Sequence, residues 1–153
     1  MATLRLASVE DAALITAHRH LMFAANDFAP DERLSAMDAA FEPWVRERLA
    51  DGRYVGLLLE EDGAVLAGGG IFFGDFPPHF LHLEAGRPYL LNFYSAPEAR
   101  GRGFAKQILQ ASIDLCRERG YHVITLHASR FGKPIYETFG FEQTNEMMLK
   151  LDE

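Results

Sequence analysis

The residues with the clearest chemical character run Ser95-Ala96-Pro97-Glu98-Ala99-Arg100-Gly101-Arg102-Gly103-Phe104-Ala105. An apolar strand ends at Ser95, a turn with two glycines follows, and helical spacing begins at Phe104. The first amides of a helix lack partners inside it and lie at the positive end of its dipole. Gly101 and Gly103 let an anion approach that backbone, and Arg100, Arg102 and Lys106 add positive charge. In physical terms this is a pyrophosphate site. The other reading is a plain strand–helix connection with exposed arginines. A P-loop would need Lys-Ser/Thr after Gly103, and a dinucleotide fingerprint would need glycine in place of Lys106.

Charge is distributed accordingly. The chain carries a net −7, which argues against a nucleic-acid or membrane-surface partner. Yet from Arg100 to Lys133 there are seven basic residues and two acidic ones, so this segment is +5 and the remainder −12. Arg117 and Arg119 suit the last turn of a helix, where cations are favourable. Arg100, Arg102 and Lys106 lie at the unfavourable end and call for an anionic partner.

A second block follows about thirty residues on: Thr125-Leu126-His127-Ala128-Ser129, then Gly132, then Ile135-Tyr136-Glu137-Thr138-Phe139-Gly140-Phe141. Together the two blocks resemble the GNAT (GCN5-related N-acetyltransferase) superfamily. Its signature Gln/Arg-x-x-Gly-x-Gly/Ala is met by Arg100, Gly103 and Ala105, and its later motif is a strand, then a short helix with a tyrosine ending in Gly-Phe. The resemblance is strongest from Leu90 to Leu149. It implies a mixed, mostly antiparallel sheet of about six or seven strands with helices on both faces, an α/β (α+β) fold. The implied activity is acetyl transfer from acetyl-CoA to an amine.

Residue by residue, the resemblance implies that amides from Arg102, Gly103, Phe104 and Ala105 hold the CoA pyrophosphate beside Arg100 and Gly101. The strand edge Phe93-Tyr94-Ser95 would pair with the pantetheine arm. Ser129 stands where many relatives carry asparagine, Gly132 is a small residue that lets the cofactor pass, and Lys133 could reach a phosphate. Tyr136 would sit near the sulfur. A phenol with an ordinary pKa of about 10 stays protonated at neutral pH and can return a proton to a departing thiolate. The alternatives are a core aromatic at Tyr136 and a non-catalytic module that binds or senses acyl-CoA.

For the acceptor amine and its base, His79, His82 and Glu84 are candidates in the loop before the central strand, and Asn92 is a candidate within it. His79-x-x-His82 without a clear third ligand is not read as a metal site. His127 reads as a hydrogen-bonded core residue of the sheet, and Cys116 falls on the apolar face of its helix, a core position rather than a nucleophile. The −12 balance outside the phosphate segment favours a small cationic acceptor by attraction.

These residues need a frame. Thr3 to Ala7 alternates as a first strand, and Ser8 with Asp11 opens a helix carrying Leu14, Ile15, His18, Leu21 and Met22 on one face. A second helix follows Pro30-Asp31, with Pro43 as a kink or new start, and ends at Asp51-Gly52. Arg53–Glu60 and Ala64–Phe73 form a hairpin around Glu61-Asp62-Gly63. Gly68-Gly69-Gly70 within it predicts a bulge or a close backbone approach. Pro88–Ser95 is a fourth strand, His122–Ala128 a fifth and Glu146–Leu151 a last one. Helices run from Phe104 to Gly120 and from Lys133 to Phe139.

The 153 residues suit one domain with a sizeable core. No apolar run approaches the roughly 20 residues a bilayer span requires, and Met1 to Ala7 does not read as a secretory signal. A single cysteine excludes an internal disulfide and fits the reducing cytoplasm. The final strand or the hairpin offers an edge for a homodimer.

Overall fold

The computed structural model describes residues 1–26 and 28–152. The alternating segments become strands β1 (Thr3–Leu6), β2 (Tyr54–Glu61), β3 (Ala64–Gly74), β4 (Arg87–Ser95) and β5 (Thr125–Leu126). The segments of helical period become α1 (Ala12–Ala25), α2 (Asp31–Asp51), α3 (Phe104–Glu118) and α4 (Lys133–Thr138). The strands form one sheet in chain order, antiparallel except for the parallel pair β4–β5.

Side chains alternate across a sheet, so each strand feeds two layers. Leu57 and Leu59 of β2 point into a cluster with Phe104, Ile108 and Leu109 of α3. Tyr54, on the opposite parity, joins Ala12 and Ile15 of α1 and Phe41 and Val45 of α2. The expected α+β architecture with helices on both faces is therefore present. Arg5 fastens the start of α1 to the sheet: its guanidinium makes two bonds of 2.9 Å to Asp11 and one of 3.2 Å to Glu60. Asp11 in turn accepts the Ser8 amide at 2.8 Å, one half of the capping box.

Two expectations are corrected. The sheet has five strands among the described residues, not six or seven. Glu146–Leu151 forms no strand, and Met147, Met148, Leu149 and Leu151 are all at least four-fifths exposed. A strand needs a neighbouring ladder, and β5 offers almost none: of the expected His122–Ala128, only Thr125 and Leu126 pair with β4. Pro43, in turn, neither kinks nor restarts the second helix, which runs unbroken from Asp31 to Asp51. Pro43 and Ala39, whose carbonyl loses its usual donor, are both exposed, so water can serve that carbonyl.

The glycine triplet shows both expected features. Gly68 pairs with Tyr94 and Gly70 with Leu91, so Gly69 faces two residues, Asn92 and Phe93, in a β-bulge. Asn92 adopts φ +62°, a left-handed conformation that asparagine tolerates better than most residues. At Gly70 the buried Tyr54 ring lies directly on the backbone, and a Cβ there would come within 2.0 Å of the Tyr54 hydroxyl. Gly70→Ala must therefore displace a wholly buried ring. We expect it to destabilise the protein by about 1–3 kcal/mol, as overpacked cores do, measured by urea denaturation.

Candidate active site

The bulge shapes the site. β4 and β5 pair only at Tyr89–Thr125 and Leu90–Leu126, and the bulge begins two residues further along β4. Extra twist at a bulge carries a strand away from its neighbour. Beyond Leu90 the two strands are no longer laddered, and the edge of β4 faces a cleft of about 880 Å³.

Several residues singled out in the sequence meet in this cleft. Asn92, Phe93, Tyr94 and Ser95 line it from β4, and Arg100 and Ala105 from the turn and the first turn of α3. Ser129, Gly132 and Tyr136 line the facing wall. Gly103 caps α3 at φ +79° and Gly101 has φ +82°, conformations that cost other residues about 1–2 kcal/mol. The turn thus needs glycine for its shape, while the open amides at the head of α3 supply the anion-ready end.

The remaining candidates are placed differently. Gly101, Arg102 and Gly103 do not line the cleft, and the Phe104 side chain is buried in the α3 core cluster. Arg102 already has its anion: Glu61 accepts two bonds from it at 3.0 and 2.9 Å. Lys133 donates to Gln143 at 3.0 Å. His79 and His82 exchange backbone hydrogen bonds of 2.9 Å with each other. His82 is buried between the rings of Tyr121 and His122, and neither histidine nor Glu84 reaches the cleft. Their loop packs beside Tyr121, so sequence proximity to β4 does not bring these three side chains to the cleft.

Tyr136 stands edge-on to Phe93 and Phe141, with ring centroids 6.2 and 5.8 Å away. Burial, with Tyr89 nearby, pushes its phenol up to about 12. Ser129 caps the α4 entry, its hydroxyl accepting the Gly132 amide at 3.1 Å. A Cβ on Gly132 would press within 3.0 Å of the Tyr136 ring. Cys116 is a core thiol, pushed up to about 11 by burial.

Three cleft residues were not identified as functional in the sequence: Arg19, Tyr89 and His127. Asn92 holds the first. Its side-chain oxygen accepts from Arg19 at 2.8 Å, while its amide donates to the Tyr54 hydroxyl at 3.0 Å. His127 is not a core residue but a half-exposed one, bonded through Nδ1 to the Tyr89 hydroxyl at 2.6 Å and through Nε2 to Glu146. Its place beside the second motif was the one available signal. Arg19 had only the cue of a lone cation next to the apolar stripe of α1.

A mixed sheet splayed at the bulged β4, with a helix N-terminus at one end of the gap, is the architecture of a GCN5-related N-acetyltransferase, an acetyl-CoA-dependent class of enzyme. The chain belongs to the acetyltransferase (GNAT) family, which it matches over residues 18–141. A GCN5-related N-acetyltransferase from Ralstonia eutropha JMP134 is 36% identical, with a TM-score of 0.95 and 99% of each chain covered. A predicted acetyltransferase from Clostridium acetobutylicum, solved with acetyl-CoA, is 30% identical. Its TM-score is 0.89, with 99% of this chain and 96% of that one covered. No curated protein matches the chain.

Asn92 ties β4 to α1 and to β2 through one side chain. Asn92→Ala leaves the buried Tyr54 hydroxyl without its donor, and we expect a loss of about 1–3 kcal/mol in chemical denaturation. Tyr54→Phe in the same background should recover part of that loss.

Proposed function

We propose that the chain transfers an acetyl group from acetyl-CoA directly to the amine of a small-molecule acceptor, with Tyr136 as general acid. The observation that carries this reading is one continuous cleft with Arg100 and Ala105 at the head of α3, Tyr136 along its wall and Tyr89 with His127 also on it. The residues fit the donor: Arg100 and the amides following Gly103 would hold its pyrophosphate, and the unladdered edge Phe93–Ser95 its amide-bearing arm. Acetyl-CoA supplies an acetyl group activated as a thioester.

Transfer makes an amide C–N bond and breaks a C–S bond, so one proton must leave the amine and one must reach the thiolate. Tyr136, held above the usual tyrosine range by burial, keeps its proton at neutral pH and donates it. For the other proton the sequence named no base, and the histidine loop does not reach the cleft. We assign this role to Tyr89 and His127 acting together. With Nε2–H donated to Glu146, His127 Nδ1 is left to accept from the Tyr89 hydroxyl. The Tyr89 oxygen can then accept from the amine while its own proton passes to His127, and Glu146 stabilises the cation that forms. No cysteine intermediate is required, in keeping with the buried, raised thiol of Cys116.

Four measurements test this reading. Acetyl-CoA at 100 times its dissociation constant should add about 2.7 kcal/mol of stability, a melting-temperature rise of roughly 5–10 °C, and Gly103→Glu should abolish it. No shift at millimolar acetyl-CoA would sink the cofactor assignment. Tyr136→Phe should lower kcat by about 10²–10⁴-fold with the KM for acetyl-CoA unchanged, followed by free-thiol release. His127→Gln should lower kcat by about 10²-fold. Because the Tyr136 pKa lies above its ordinary value, its acid form persists as pH rises, and the wild-type kcat should not fall below pH of about 10. An alkaline fall near neutrality, or a fully active Tyr136→Phe, would remove Tyr136 from the mechanism.

A further inference from the structure

Arg19 is a partly buried cation with no ion-pair partner within 4 Å among the described residues. The Asp38 carboxylate acts on it only at longer range. Arg5, Arg53 and Arg102 differ, with Asp11 and Glu60, Asp51 and Glu47, and Glu61 respectively. Arg48 and Arg87, like Arg19, lie on aromatic rings without an ion pair among the described residues, but neither lines the large cleft. Arg19 has one hydrogen bond, from Nη1 to Asn92, while its Nε is buried without a partner. A guanidinium carries five N–H donors in a flat fork, so most of its capacity is unused.

What holds Arg19 also aims it. Its guanidinium carbon lies 4.9 Å from the Phe23 ring centroid and 4.7 Å from that of Phe41, and Asn92 fixes one end of the fork. Arg19 lines the large cleft and also a smaller cavity of about 240 Å³ walled by Phe41, Trp44, Phe72, Tyr89 and Leu91. Tyr89, the residue assigned above to receive the amine, is common to both spaces. Burial pulls the Arg19 pKa down and outweighs the opposing effects of Tyr54, Tyr89 and the Asp38 carboxylate, so the charge is short of solvent.

We propose that Arg19 is the receptor for an anionic group on the acceptor, so that the substrate is an amine that also carries a carboxylate or a phosphate. The proposal rests on the acetyl-transfer reading above and narrows it to one acceptor class. The oriented fork suits a planar or tetrahedral oxyanion, which it can meet with two parallel bonds. Binding such a group relieves an unpaired, partly desolvated charge, whereas a neutral or cationic amine would leave it so or oppose it. The aromatic cavity beyond Arg19 then takes an apolar arm of the same molecule. This reverses the expectation of a cationic acceptor drawn from the −12 balance. Surface charges beyond about 8–10 Å are screened at physiological salt, while Arg19 stands in the cleft itself.

Matched pairs of amines test it: phenylalanine against its amide, and phosphoethanolamine against ethanolamine. Wild-type protein should acetylate the anionic member of at least one pair with kcat/KM about tenfold higher or more, the span of a charge-assisted hydrogen bond. The pair that responds separates carboxylate from phosphate. Arg19→Gln should flatten the ratio to within about twofold, and Arg19→Lys should keep part of it. The KM for acetyl-CoA should hold in both, a pattern that a merely structural loss would not give.

Neutral members favoured or equal in the wild type, or an unchanged ratio in Arg19→Gln, would overturn the proposal. The same pairs are also added to the protein–CoA complex and the melting temperature read, which needs no turnover. If no amine is acetylated, the transfer reading falls. A larger rise with the anionic member, lost in Arg19→Gln, would still support Arg19 as an anion receptor, and equal rises would overturn it.

Discussion

The bulge in β4 is the constraint from which the rest of the site follows. One extra residue opposite Gly69 turns Asn92 into a left-handed conformation and ends the β4–β5 ladder after two pairs. Had the strands stayed paired, the β4 edge from Leu91 to Ser95 would have been consumed by β5 and the cleft would not exist. The distortion is tolerated because Asn92 is bonded on both sides, to Arg19 in α1 and to Tyr54 in β2. Tyr54 can stand there only because Gly70 leaves room for its hydroxyl. A strained strand, a buried phenol and a cation in the cleft are thus parts of one hydrogen-bonded unit.

Electrostatics divides the cleft in two. At the α3 end the positive character comes from open amides and Arg100, since the fold has already spent Arg102 on Glu61. At the other end it comes from Arg19, which makes one hydrogen bond to Asn92 and no ion pair among the described residues. Between them lie groups that hold protons rather than charges: Tyr136, raised by burial, and Tyr89 bonded to His127. An acyl transfer between a phosphorylated donor and an amine makes demands of this kind at two of these places, anion binding for the donor's phosphates and proton exchange at the reacting atoms.

The C-terminal segment is where local pattern and tertiary structure part. Glu146–Leu151 alternates well enough to read as a strand, yet a strand exists only where a neighbour offers unpaired backbone, and β5 is too short to do so. Glu146 instead meets His127, and Met148 borders the cleft. In the same way, the histidines at positions 79 and 82 were close in sequence to the site but are bound to each other and to Tyr121 on another part of the surface.

Features set by the chain's own neighbours were legible in the sequence. The order of strands and helices, the α2 stop at Gly52, the α3 start after Gly103 and the tight packing at the glycine triplet all depend on residues a few positions apart. So did the two motifs, whose spacing brought Arg100, Ala105, Ser129, Gly132 and Tyr136 to one cleft. The partners of charged and polar side chains were decided only by the tertiary structure. Nothing local pairs Arg102 with Glu61 or His127 with Tyr89 and Glu146, and nothing local leaves Arg19 in the cleft wall beside Asn92. Those contacts span 19 to 73 residues. They exist because the sheet and its bulge bring distant segments within hydrogen-bond reach, a distance that periodicity and propensity do not encode.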